Sequence, residues 1–259
     1  MMSFGEEDTS VDRFLGGALH ICQPVNGYRA ATDPVFLAAA VSAKQGDQVL
    51  ELGCGVGVAS LCLKSRHPDV DITGLELQEN YAELARFNAM GNNIPFDVIE
   101  GDLKQMPAVL RSKNFDHVIA NPPFFEKGTV TKPQNEGKAT SHLFENIMSV
   151  WVDAGLRRLR PKGIITIIQL AEQLPDILIG LSGRAGDIQV LPLVSRPGRA
   201  AKRVIVRARK SVRTPMKLLS PFHVHGSGEH LQSVSDYTPD AVAILRDGAA
   251  LAWGKDPPD

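Results

Sequence analysis

Cysteine is scarce in this chain: 259 residues carry only Cys22, Cys54 and Cys62. An odd number without ligand-type spacing excludes a disulfide framework and a zinc site. Long apolar runs are missing as well. The longest uncharged ones, residues 35–41 and 164–170, fall far short of the roughly 20 needed to cross a bilayer. Residues 1–10 are acidic and contain no apolar core, so no signal peptide is expected. Internal repeats and low-complexity tracts are absent too. A reduced, cytoplasmic protein is the expectation. Apolar residues at 43% and charged ones at 22% exclude a disordered, collagen-like or coiled-coil chain. The length suits one α/β domain with appendages.

The net charge of −1 hides a segregation. Residues 155–217 hold 14 Lys and Arg against Glu172, Asp176 and Asp187, a net of +11, which leaves −12 for the remainder. A cationic face on an otherwise acidic protein is the footprint of a polyanion-binding surface, and nucleic acid is favoured over a chance clustering of solvated charges.

Residues 1–45 read as an N-terminal extension. It has extended segments around Phe14, Leu19 and Ile21, turns at Gly16-Gly17 and Asn26-Gly27, and a short helix over 35–42 with Asp33 capping it and Pro34 near its first turn. From Gly46 strands and helices alternate. Strands are expected at 49–52, 71–77, 96–99, 115–120 and 163–170, and helices at 58–66, 79–90 and 141–159. A further helix precedes strands at 188–194 and 203–209. Units of this length imply a mostly parallel sheet with helices on both faces. The last two strands are joined without a helix and should be antiparallel. Residues 46–212 thus form the core, and 213–259 an extension packed on it, with an amphipathic stretch at 239–246.

Three features at successive strand ends describe a ligand. Leu50-Glu51-Leu52-Gly53-Cys54-Gly55-Val56-Gly57 follows a strand and opens a helix, and its glycines let backbone N–H groups approach a ligand closely. Val58 stands where the dinucleotide fingerprint wants glycine, which argues against a nicotinamide site. Glu76 ends the second strand, placed to accept from ribose hydroxyls, and Asp102 follows the third, placed to receive an adenine amino group. Glycine loop, ribose acid and adenine acid suit a nucleoside without a pyrophosphate, as in S-adenosylmethionine. Cys54 reads as a small residue in a tight loop.

The sequence Ile119-Ala120-Asn121-Pro122-Pro123-Phe124-Phe125 is the most specific feature. Its prolines fix φ and remove N–H groups, leaving carbonyl acceptors without a local donor. The Asn121 side-chain oxygen and the Pro122 carbonyl can both accept from one exocyclic NH2. A planar amine is a poor nucleophile because its lone pair is delocalised; two aimed acceptors draw it toward tetrahedral geometry and stabilise the developing positive charge. Phe124 offers a stacking face, worth about 1–3 kcal/mol per base. His223, His225 and His230 lack a carboxylate or cysteine to complete a ligand set, so no metal is expected.

The loop with Gly53, Gly55 and Gly57, together with Glu76, Asp102 and Asn121 to Phe124, resembles the motifs of class I S-adenosylmethionine-dependent methyltransferases, in the small-methyltransferase branch. The prefix (Phe14-Leu15-Gly16-Gly17, Gln23-Pro24, Gly27-Tyr28-Arg29-Ala30, Thr32-Asp33) and the tail (Asp236 to Asp240) are similar to the family of bacterial tRNA(Val) adenine-37 N6-methyltransferases. The resemblance covers nearly the whole chain. It implies a Rossmann-like, seven-stranded sheet with the last strand antiparallel and inserted next to the edge, S-adenosylmethionine as cofactor, and Thr32, Asp33 and Glu51 near it. Phe124 stands where many relatives have Tyr. The substrate expected is an exocyclic amine, adenine N6 in tRNA first. A protein glutamine amide, guanine N2 of ribosomal RNA, and a non-catalytic RNA-binding relative are the alternatives. If strand 188–194 is parallel to the first strand, the loop after it lies on the cofactor side, so Arg196, Arg199, Lys202 and Arg203 are the candidate phosphate contacts, with Arg207, Arg209 and Lys210 solvated at the far end. The oligomeric state is open, a monomer being favoured.

Overall fold

The structure is a computed structural model and describes residues 5–123, 147–226 and 236–253. Its centre is one sheet in the order β10-β8-β9-β7-β6-β3-β4-β5. The strands are β3 (Gln48–Leu52), β4 (Asp71–Glu76), β5 (Asp97–Glu100), β6 (Phe115–Ala120), β7 (Leu159–Leu170), β8 (Ala185–Val194), β9 (Arg203–Lys210) and β10 (Lys217–Leu218). All neighbours pair in parallel except β9, which runs antiparallel to both β7 and β8. Seven of these strands are the expected sheet with its inserted antiparallel strand. The tail adds more: β10 and β11 (Phe222–His223) both extend the outer edge of β8 in parallel.

Side-chain alternation along the strands sorts the core into two layers. Val49, Ile72, Ile119, Ile168 and Ile205 face one side. Leu50, Leu52, Val118, Ile165 and Val206 face the other. The first layer is covered by α1 (Asp33–Ala39), α2 (Val58–Arg66), α3 (Glu79–Gly91) and α7 (Pro239–Asp247). The second is covered by α4 (Ala108–Arg111), α5 (Ile147–Arg158) and α6 (Leu174–Leu181). Fully buried side chains such as Phe36, Leu61 and Phe115 each contribute roughly 1.5–3 kcal/mol by leaving water.

The N-terminal hairpin, β1 (Thr9–Phe14) with β2 (Leu19–Pro24), is pinned to this frame by the buried Asn88 of α3. The Asn88 amide accepts from Cys22 N (2.7 Å) and donates to the carbonyls of Cys22 and Val56 (both 3.0 Å), so hairpin, helix and glycine loop share one side chain. Gly16 has φ +65°, and a Cβ there would lie 2.9 Å from the Arg246 carbonyl of α7. Only glycine lets this turn seat the C-terminal helix. Thr238 caps α7 by accepting from Ala241 N, and the tail returns to α1 through Trp253 Nε1, which donates to the Ala40 carbonyl at 2.8 Å.

Helix α1 begins two residues earlier than the 35–42 the sequence suggests and ends at Ala39. Thr32 is its N-cap, using its backbone carbonyl and not its side chain, and Asp33 is the first helical residue. The Asp33 carboxylate does not cap the helix because Arg203 takes it. Of the helix expected over 141–159, residues 147–158 are observed and 141–146 lie outside the described residues. Among the described residues no helix is long and apolar enough to cross a membrane.

Candidate active site

Strand register sets the rim. Leu52 lies opposite Leu75 on one side and Ala120 on the other, and Glu76 lies opposite Glu100. Gly53, Asp102 and Asn121 therefore leave the sheet together at its carboxyl edge, where open α/β sheets bind ligands. Two cavities meet there. The smaller, about 30 Å³, reaches down to Glu51, Ala30 and Pro34. The larger, about 220 Å³, is bounded by Glu76, Leu77, Asp102 and Trp151. Tyr28, Gly53, Gly55 and Asn121 line both, so the glycine turn and the Asn-Pro-Pro corner share one cleft.

Gly53 sits at φ +63°, and a Cβ on it would stand 2.5 Å from the Trp151 ring. The loop is held from below by the buried Glu76 carboxylate, which accepts from Gly55 N (2.8 Å) and Gln78 N (2.9 Å). Each oxygen keeps lone-pair capacity for a ligand hydroxyl. Asp102 accepts from Lys104 N at 2.8 Å and lines the larger cavity. Gly57 stands behind the cleft as the left-handed N-cap of α2. Thr32 and Asp33 directly precede Pro34, and only Pro34 of the three lines the cleft. Cys54 is buried in the turn, and burial pushes its thiol well above the ordinary range, which removes it as a nucleophile.

Glu51 is a buried carboxylate that accepts from Ser60 N (3.0 Å) and Ser60 Oγ (2.5 Å). No cation pairs with it among the described residues. Burial pushes its carboxyl up to about 8; the Ser60 hydrogen bonds oppose the shift and the Glu76 charge adds to it. A buried acid of this kind on the wall of a cavity fits a ligand that carries its own positive charge.

Asn121 presents the complementary feature. Its Nδ2 donates to the Tyr28 hydroxyl at 3.2 Å, while its Oδ1 is buried and has no hydrogen-bond partner. The Pro122 carbonyl accepts from Gln169 Nε2 at 3.1 Å, and Gln169 Oε1 accepts from Leu170 N at 2.7 Å. The corner is thus braced from β7, with one Pro122 lone pair already used. Tyr28 is fixed in turn by the Tyr81 hydroxyl, which donates to the Tyr28 carbonyl (3.2 Å) and accepts from its N–H (2.9 Å). Burial, with the charges of Asp33 and Glu51, pushes the Tyr28 hydroxyl up to about 12, so it stays neutral. Phe124 lies outside the described residues.

Sequence reasoning overlooked Tyr28, Trp151 and Gln169 as site residues. Tyr28 sat inside a quoted prefix motif without a role. The other two have no local signature, because Trp151 reaches the cleft, and Gln169 the Pro122 carbonyl, only through tertiary packing.

The expected phosphate contacts divide. Strand β8 is parallel to β3, so residues 195–202 do emerge on the cleft side. Within them Arg196 is held by the Asp236 carboxylate and by the Gly226 carbonyl (2.9 Å), and His225 binds the same carboxylate at 2.7 Å while stacking on Tyr237. Arg203 is bound to Asp33 through Nε at 2.5 Å. These ion pairs tie Arg196 to the tail and Arg203 to α1. Arg199 and Lys202 are exposed, with no carboxylate partner among the described residues. Nor are Arg207 and Arg209 simply solvated. Arg207 stacks on Trp253, 4.0 Å from the ring centroid, and Arg209 pairs with Asp187. Among the described residues no group of three or more His, Cys, Asp or Glu side chains could hold a metal ion.

Glu51 has a measurable signature. Its folded pKa is raised above the unfolded value, so the stability it contributes is complete below pH 4.5 and lost as pH rises toward about 8. We expect the unliganded protein to lose stability across that window. Glu51→Gln should flatten this decline, by up to about 1.4 kcal/mol per pH unit in urea unfolding. Parallel pH profiles for both proteins would refute it.

Known proteins can be compared on this basis. Residues 32–176 match the family model described as methyltransferase small domain. A tRNA1(Val) (adenine(37)-N6)-methyltransferase from Glaesserella parasuis is 28% identical over 184 residues, covering 68% of this chain and 74% of its own. One with the same name from Porphyromonas gingivalis is 24% identical, covering 85% and 92%. Among solved structures, an Agrobacterium tumefaciens protein described as a predicted O-methyltransferase superposes with TM-score 0.68 at 22% identity, covering 85% of this chain and 98% of that one. A Thermus thermophilus 16S rRNA N2 G1207 methyltransferase, solved with AdoMet and guanosine, gives 0.55 at 18%, covering 78% and 50%. Both structural likenesses support the Rossmann-like fold described above. With the family model spanning more than half of it, the chain belongs to the methyltransferase small domain family and is an S-adenosylmethionine-dependent methyltransferase.

Proposed function

We propose that this enzyme methylates an exocyclic amine of RNA, adenine N6 in a tRNA anticodon loop. The observation that carries the chemistry is the buried, unpartnered Asn121 Oδ1 in the wall of the cofactor cleft. A buried acceptor without a donor costs about 1–3 kcal/mol, so its persistence points to a donor supplied by substrate. The choice of adenine in tRNA rests on the relatives named above and on the cationic segment.

S-adenosylmethionine, when bound, supplies an electrophilic methyl on a sulfonium. The chain's residues divide the remaining work. Glu51 offers the buried negative charge for the cofactor's cationic part; the Glu76 and Asp102 carboxylates offer acceptors for its ribose and adenine. Tyr28 and Gln169 are positioning residues: the first holds the Asn121 amide with Nδ2 outward, the second holds the Pro122 carbonyl. With those contacts made, Asn121 Oδ1 and the free lone pair of Pro122 O can each accept one N–H of the target amine. They orient its nitrogen and stabilise the charge that forms as the new N–C bond is made. The amine's surplus proton leaves to water, since no strong base adjoins the corner among the described residues. A base turned out of its stack would enter by the open side of the cleft, and Arg199 and Lys202 would hold flanking phosphates.

The direct test incubates purified protein with labelled cofactor and RNA from a strain lacking the enzyme, followed by nucleoside mass analysis. N6-methyladenosine in tRNA is the expected product. N2-methylguanosine, or label in protein, would overturn the substrate; no label at all would overturn the activity. Asn121→Ala should lower kcat by about two to three orders of magnitude. Tyr28→Phe keeps the ring and removes the bond to Asn121. It should lower kcat roughly three- to tenfold, a typical single hydrogen bond, with cofactor affinity unchanged by calorimetry. Arg199→Ala with Lys202→Ala should weaken RNA binding and make its salt dependence shallower by about two contacts, again without loss of cofactor binding. Unchanged RNA affinity at low salt would remove that loop from the interface.

A further inference from the structure

The cationic segment does more than supply the rim loop. On the α5 face of the sheet, away from Arg199 and Lys202, two grooves run end to end. The first, about 570 Å³, starts at Leu103, which also lines the cofactor cleft, and carries Lys104, Arg111, Arg157 and Arg158. Arg157 then begins the second, about 470 Å³, which adds Arg184, Lys210 and Arg213. These last three come from the end of α6, the end of β9 and the chain just beyond it, brought together because those ends meet at the amino edge of the parallel sheet. The path therefore leaves the active-site rim and descends past α5, a helix of 12 residues and roughly 18 Å.

Its charge is strongly one-sided. Among the described residues Asp153 is the only carboxylate in the lining of either groove, and it is shared between Arg157 (2.7 Å) and Arg184 (2.9 Å). Lys104, Arg111 and Arg213 are exposed and have no carboxylate partner among the described residues. Arg158 is turned to the carbonyls of Leu110 (3.0 Å) and Arg111 (2.5 Å), and Lys210 to that of Leu159 (2.7 Å). Burial, with the Arg158 and Arg184 charges, holds the Lys210 ammonium below its usual range, the mark of crowded cations that lack an anion. Among the described residues no aromatic side chain lines either groove. Cations without stacking faces suit a sugar–phosphate backbone and not unpaired bases.

We propose that this track binds the phosphate backbone of the substrate RNA beyond the loop that enters the cleft, so that the enzyme grips the body of its RNA as well as the target nucleotide. The inference rests on the RNA reading above. It assigns Arg157, Arg158, Arg184, Lys210 and Arg213 of the +11 segment, together with Lys104 and Arg111 from outside it, to contacts that are independent of base sequence.

The test is Arg111→Glu with Arg213→Glu, one substitution in each groove and neither in the cleft. Binding of a tRNA(Val) transcript and of its isolated anticodon stem-loop would be followed by fluorescence anisotropy from 50 to 300 mM KCl. Cofactor affinity by calorimetry serves as the folding control, and Arg111→Gln with Arg213→Gln provides a milder variant should the charge reversal unfold. For the full transcript we expect at least a tenfold loss of affinity near 0.1 M salt and a salt slope reduced by about two. The stem-loop should change less than threefold. Full-length affinity and slope equal to those of the unaltered protein would overturn the track, as would equal losses on both RNAs. Failure of the unaltered enzyme to bind or methylate any RNA is a different outcome, and it would overturn the substrate reading itself.

Discussion

One carbonyl oxygen without a partner organises this molecule. Asn121 Oδ1 is buried and unpaired at the end of the central strand. A free asparagine could rotate its amide to reach water. Here the Tyr28 hydroxyl holds Nδ2, Tyr81 holds the backbone of Tyr28, and Gln169 holds the adjacent Pro122 carbonyl. The chain thus spends three side chains from three separate elements on fixing the residue that carries this acceptor at the edge of the cleft. Such a site is polar, dry and preorganised, the condition under which an aimed acceptor stabilises developing charge most strongly.

The N-terminal extension owes its presence to that constraint. Tyr28 and Ala30 reach the cleft only because the hairpin before them is fastened to α3 by Asn88 and its turn is locked under α7 by Gly16. Arg203, at the start of β9, joins the same arrangement by binding Asp33 at the start of α1. Hairpin, first helix and C-terminal helix therefore act as a collar on the class I core, and the collar closes one wall of the cofactor cleft.

How much of this could be read beforehand follows from the range of each interaction. The glycine turn, the strand-end carboxylates Glu76 and Asp102 and the Asn-Pro-Pro corner announce themselves because each is a local solution to a local demand: positive φ, a strand end, missing N–H groups. The antiparallel β9 was likewise visible, since a link of eight residues leaves no room for a crossover helix. Tyr28, Trp151 and Gln169 were not visible as site residues. Their roles exist only once β6, β7, α5 and the hairpin have packed, and an isolated Tyr or Gln in sequence carries no trace of its distant partner. Charge counting showed a similar blind spot. It found the +11 segment but could not separate Arg196 and Arg203, which are neutralised by Asp236 and Asp33, from Arg199, Lys202 and Arg213, which have no carboxylate partner among the described residues. Ion pairing is a tertiary fact.

The two charge-handling groups of the cleft differ in kind, and the difference follows from what each must meet. Glu51 is a carboxylate whose burial raises its pKa to about 8, so that a permanently cationic ligand restores the favourable ionised form on binding. At the corner proposed to hold the acceptor amine a carboxylate would serve less well. It would bind any ammonium in the ground state and hold it there, lowering the energy of reactant and transition state together. Asn121 Oδ1 is a neutral acceptor, whose attraction for the amine grows only as positive charge develops on the nitrogen. Placing the formal charge deep at Glu51 and the neutral dipole at Asn121 lets one cleft hold a cation firmly while reserving its directed stabilisation for the moment of transfer.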